Sequence, residues 1–105
     1  MPALVTNAGV VLNVEYDGRT GTGQAAHVIR VYEGTTSLGT IPLPTGHEAT
    51  PTGPDFDCVR LKYSDRVIML VSDAQSVWTI ETTADAAAIL AIGAGDWTNH
   101  FPTPR

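Results

Sequence analysis

Residues Phe56–Thr82 read FDCVRLKYSDRVIMLVSDAQSVWTIET. Val59, Leu61 and Tyr63 alternate with Arg60 and Lys62, a period of two that places the apolar set on one face of a strand. Arg60 and Lys62 then form its wet face, where charge also discourages edge-to-edge pairing. Ser64-Asp65 is a polar break. Arg66–Val71 is almost wholly apolar, as in a strand covered on both sides. Ser72–Ser76 is a second turn, and Val77–Ile80 is a third strand of β-branched and aromatic residues. The stretch predicts a three-stranded meander with Arg66–Val71 at its centre.

Working outward, Val10, Leu12, Val14 and Tyr16 alternate with Val11, Asn13 and Glu15, as in a half-buried strand. Gly18-Arg19-Thr20-Gly21-Thr22-Gly23 is a loop. His27–Glu33 and Leu38–Leu43 read as a hairpin through Gly34-Thr35-Thr36-Ser37. Pro42 has no amide donor, so the second strand lies at a sheet edge or ends there. Pro44–Pro54 carries too much Pro and Gly for regular structure and reads as a surface excursion. After the meander the period changes. Thr82–Ala91 predicts the one helix, capped by Thr82 or Thr83, with Asp85 in its first turn and Gly93 and Gly95 beyond its end. Residues 1–9 are weakly patterned and read as an N-terminal arm.

The expected fold is therefore mainly β: a small antiparallel sandwich or barrel of six or seven strands with one short C-terminal helix. At 105 residues the chain is a single domain. Ten Gly, seven Pro and a charged fraction of only 16% suit a loop-rich β protein. The tail Gly95–Arg105 (GDWTNHFPTPR) sets Trp97 and Phe101 among residues that build no core. Two placements stay open for it: folded back over the domain, or docked on another chain. With the apolar side of the helix, Ile89 and Leu90, these rings are the interface candidates.

Six basic residues face eleven acidic ones, for a net charge of −5. That balance argues against nucleic acid, which needs clustered Lys and Arg. No segment approaches the ~20 apolar residues of a membrane span. The start has no basic n-region or apolar run of a cleaved signal, so the expectation is a chain made and kept in a cytoplasm, or one that leaves by a route other than a cleaved signal. Cys58 is the sole cysteine, which excludes an intrachain disulfide.

The chemistry-bearing residues do not gather into a motif. The glycine loop lacks G-K-[ST] and leads into a strand, so no helix terminus awaits a phosphate. His27, His47 and His100 are far apart and show no metal-ligand spacing. Asp55, Asp57 and Glu48 do not fill a calcium-loop frame. Asp17, Asp55, Asp57, Asp65, Asp73 and Asp96 mostly fall in predicted turns, where the side chain bonds local backbone amides. Cys58 with His47 or His100 is the nucleophile–base pair to consider, but its apolar neighbours Phe56 and Val59 should raise the thiol pKa and quiet it. No catalytic residue, cofactor or metal is expected. Exposed aromatics offer another lead, a stacking platform for sugars, with Trp97 the first candidate ring.

The segment HVIRVYEGTTSLGTIPL (27–43) resembles a hairpin of bacterial immunoglobulin-like modules. The whole chain resembles, in character rather than in motif, the small virion proteins of tailed phages of actinobacteria. The shared traits are an acidic β domain rich in Ala, Gly, Thr and Asp, arm-like ends and no catalytic cluster. That resemblance implies a structural role in capsid decoration or in the tail. The partners would be the protein itself and other virion proteins, and the chain would be made in the host cytoplasm and assembled into the particle. The alternative is a carbohydrate-binding or adhesion module with a surface glycan as ligand.

Overall fold

The computed structural model describes residues 3–18, 27–46, 55–73 and 76–100. Among them eight strands form two four-stranded antiparallel sheets, stacked as a sandwich. The first holds β1 (Ala3–Val5), β2 (Val11–Gly18), β3 (His27–Glu33) and β4 (Thr36–Pro42), in that order. The second holds β5 (Asp55–Arg60), β6 (Arg66–Ser72), β7 (Val77–Thr83) and β8 (Thr98–Asn99). A single helical turn, α1 (Ala86–Leu90), packs between β4 and β7 on one flank. On the other flank β1 lies against β5.

The period-two pattern works as expected in most strands. Leu12 and Val14 of β2, Ile29 and Val31 of β3, and Ile41 of β4 point inward. They meet Cys58, Val67, Met69, Val71 and Trp78 of the second sheet in one core. Full burial of each such aliphatic chain is worth roughly 1.5–3 kcal/mol. β4 is a sheet edge, as Pro42 allows. Gly34 opens the β3–β4 turn at φ +62, the first central position at which a tight hairpin turn of type II′ wants glycine.

Gly39 has a second role. The β3–β4 register shifts between Val31 and Tyr32, so Leu38 is the extra residue of a bulge. There Gly39 adopts φ +148, and a Cβ would stand 3.1 Å from Leu90 Cδ2. The Leu-Gly-Thr sequence is thus the place where α1 comes down onto the edge strand.

Five expectations need correction. The expected arm is, from Ala3, an edge strand, because Leu4 fills a core position and pairs with Leu12. Val59, Leu61 and Tyr63 do not share a buried face. β5 ends at Arg60, its inward residues are Phe56, Cys58 and Arg60, and Val59 is 51% exposed. Arg60 is accordingly half-buried and not on a wet face, because neutral oxygens at the sandwich mouth receive its guanidinium. β6 has only one covered face: Val67, Met69 and Val71 are buried, whereas Ile68 and Leu70 are half-buried on the outside. The helix is five residues rather than ten. Thr82 and Thr83 remain in β7, paired with Val67 and Arg66, and Asp85 is the N-cap without a side-chain cap bond.

The tail folds back on its own domain. Trp97 is 8% exposed, and β8 adds to the edge of β7 through Thr98–Thr79 and Asn99–Trp78. Phe101 and the rest of the tail lie outside the described residues, as does most of the 44–54 excursion.

Candidate functional site

The β5–β6 turn is where the described surface departs most from ordinary structure. The last rung of the ladder is Leu61 N–H to the Arg66 carbonyl at 3.0 Å. Lys62, Tyr63, Ser64 and Asp65 make the reversal, and the Ser64 hydroxyl oxygen accepts the Arg66 N–H at 3.2 Å. Tyr63 adopts φ +61, the left-handed region, and is the one non-glycine residue to do so among those described. For a bulky side chain that is an unfavourable conformation. The ring is 95% exposed, so no burial offsets the strain. The Lys62 ammonium stands 5.2 Å from the ring centroid, over one face, which leaves the other to solvent.

In the same lining, Arg60 ties the turn to the N-terminal strand. Its guanidinium donates to the Val5 carbonyl, to Asn7 Oδ1 at 2.8 Å and to the Ser64 carbonyl at 2.8 Å. Its Nε is buried without a partner. Asn7 in turn donates from its side chain to the Asp65 carbonyl at 3.2 Å and from its backbone to Ala84 at 2.9 Å. These bonds fix the floor of an open depression of about 520 Å³, lined by Asn7, Arg60, Leu61, Lys62, Tyr63, Ser64 and Asp65.

The electrostatics of this spot oppose those of the whole chain. Arg30 pairs with Asp17 at 2.6 Å and Arg66 with Glu81 at 3.1 Å. Arg60 bonds only neutral acceptors, and Lys62 faces a ring. Two cations without carboxylate partners therefore flank Tyr63, with the Asp65 carboxylate in the same lining.

No family model, curated protein or solved structure matches the chain.

The residues singled out by sequence are dispersed. Cys58 is buried, and burial together with the Asp57 charge pushes its thiol up to about 12. His100 bonds the Thr79 hydroxyl at 2.7 Å on the outside of the sheet, so it cannot serve Cys58 in the core. The His27 side chain, His47, Glu48 and the 19–26 loop lie outside the described residues. Asp55 and Asp57 are both exposed on β5. The aspartates do local backbone work: Asp57 accepts the Cys58 N–H, Asp73 that of Ser76 and Asp96 that of Gly93. Among the described residues no group of three or more His, Cys, Asp or Glu could hold a metal, and no helix is long and apolar enough to cross a membrane.

The interface candidates also move. Ile89 and Trp97 belong to this chain's own core, and Leu90 is half-buried against β4. The exposed ring is Tyr63, not Trp97. Sequence reasoning missed it because Tyr63 continues the alternation of Val59 and Leu61. The available signal was Lys62, whose charge on a two-residue approach to Ser64-Asp65 extends the polar turn backward.

Proposed function

We propose that this chain is a non-enzymatic assembly module acting by protein–protein binding, as a virion component of the capsid-decoration or tail type. The observation that supports this is the outer face of β6. Val67–Val71 is apolar without interruption, yet the domain covers one side of it. Ile68 and Leu70 stay half-exposed outside, and Val59, directly across from Ile68, is 51% exposed. Asp57 and Thr79 flank Leu70, Glu81 flanks Ile68, and Arg66 ends the strand. An apolar centre inside a polar rim is the anatomy of a binding surface.

The occupant this reading commits to is a second copy of the chain, in keeping with assembly from many identical units. A stable contact covers ~800 Å² on each partner, so the rim must join the apolar centre. Weak single contacts then add up across a lattice. Ile89 and Trp97 take no part, since the domain itself buries them.

Light scattering after size exclusion, from micromolar to near-millimolar protein, tests the reading. The mass should rise above the 11.1 kDa of one chain. Ile68→Lys should restore the monomer with unchanged circular dichroism. A wild-type monomer throughout, or association indifferent to Ile68→Lys, refutes assembly through this face.

The Tyr63 turn favours a second reading, a glycan-binding module. A strained, fully exposed ring beside amide, hydroxyl and carboxylate groups is what stacking on a sugar and bonding its hydroxyls requires.

A further inference from the structure

We propose that the Tyr63 depression takes an acidic carbohydrate, a pyranose carrying a carboxylate, rather than a neutral one; this rests on the glycan-binding reading of that turn. Three observations meet here. The first is the ring itself. Lys62 occupies one face at 5.2 Å, and the other is open, so a sugar can lay its C–H face on it without displacing the cation.

The second is charge. The chain carries a net −5, yet here Arg60 and Lys62 lack carboxylate partners. Arg60 is held in place by the Val5 and Ser64 carbonyls and Asn7, so its charge is fixed in the lining rather than free to swing away. Lys62 is the exposed cation at the ring, and its charge adds to that of Arg60. In an acidic protein this local field draws in an anion that the rest of the surface repels.

The third is shape. The depression is open, and its lining sets the charged and polar groups of Asn7, Arg60, Lys62, Ser64 and Asp65 beside a surface that is more apolar than polar. That suits a flat ring lying along an aromatic, with Asp65 and Ser64 placed to bond hydroxyls. A peptide anchored by one side chain would want an enclosed apolar pocket instead.

The test is titration calorimetry of the intact protein with three probes: trigalacturonate, neutral maltotriose and a short polyglutamate. Trigalacturonate should bind at least about tenfold more tightly than maltotriose, a gap of ~1.4 kcal/mol. Lys62→Gln should remove that preference and leave maltotriose affinity as it was. Tyr63→Asn, which keeps a residue tolerant of the left-handed turn, should weaken both sugars while the fold survives. Equal affinity for the two sugars, both lost in Tyr63→Asn, overturns the acidic preference and leaves the glycan reading standing. No binding of either sugar, or polyglutamate binding as well as trigalacturonate, overturns both.

Discussion

Removing Trp97 should strongly destabilise this domain, and the structure gives the scale. The side chain is 8% exposed and sits in the main core with Ile89 and Ile92. Truncating a buried Trp to Ala costs about 3–5 kcal/mol. A domain of this size has roughly 5–15 kcal/mol in total, so Trp97→Ala removes a large share of it. With an unfolding entropy of ~2.1 cal/mol/K per residue, each kcal/mol corresponds to about 4–5 °C, which places the fall in Tm near 15–20 °C. The indole N–H, however, is buried with no acceptor. An unsatisfied buried donor costs about 1–3 kcal/mol, so Trp97→Phe discards a penalty together with some packing. Its net effect should be within about 1 kcal/mol of zero. Thermal unfolding followed by far-ultraviolet circular dichroism measures both variants without relying on the altered fluorophore. A Trp97→Ala protein that melts within about 4 °C of wild type would refute the placement of the tail in the core. It would restore the picture of Trp97 as an anchor for another chain. A Trp97→Phe loss as large as that of Trp97→Ala would mean the N–H does find an acceptor.

Gly39→Ala should cost about 1–3 kcal/mol, because φ +148 strains any side chain and its Cβ meets Leu90 Cδ2 at 3.1 Å. In urea titrations the penalty should shrink but persist on a Leu90→Ala background, where only the contact is relieved; an unchanged penalty would assign it wholly to the backbone. Cys58 should resist iodoacetamide at pH 8 in the folded protein and react once unfolded, since burial pushes its thiol from 9.0 up to about 12. The folded state holds that proton more tightly than the unfolded state does. Its contribution is therefore complete below pH ~9 and is lost as pH rises toward 12. Cys58→Ala should flatten this part of the stability profile, and an identical slope in both proteins would contradict it. Arg60→Met should lose about 1–3 kcal/mol, since the Val5 and Ser64 carbonyls and Asn7 each lose a donor. Hydrogen exchange should show β1 opening first, and full retention of β1 protection would show that the strand does not depend on this tie.

The strands of the meander and of the β2–β4 half were legible because alternation is a local property of the chain. Leu12 and Val14, or Ile29 and Val31, can only sit on one face of a strand, and composition supplied the turns. Pro42 even marked a sheet edge. Where two frames were locally equivalent, the sequence could not choose. β5 alternates either as Phe56, Cys58 and Arg60 or as Asp57, Val59 and Leu61. The apolar count favours no strong preference, and the first frame wins because Val5, Asn7 and Ser64 receive the inward Arg60. Val5 and Asn7 are remote in sequence, and only Ser64 is local.

The same physics separates site from scaffold. That residues 56–82 make strands, that Cys58 is a quiet thiol, and that Asp73 and Asp96 serve turns followed from residue type and immediate neighbours, whereas Asp17, Asp55 and Asp57 lie in strands. Which apolar groups remain outside was a tertiary decision. Trp97 and Ile89 are inside because the flank between β4 and β7 needs filling. Ile68 and Leu70 are outside because two sheets cover only their inner faces. Tyr63 is in solvent because the ladder stops at Leu61 and the reversal forces a left-handed residue there. Local chemistry dictates the strands; the competition among apolar side chains for one small interior dictates which are left to meet a partner.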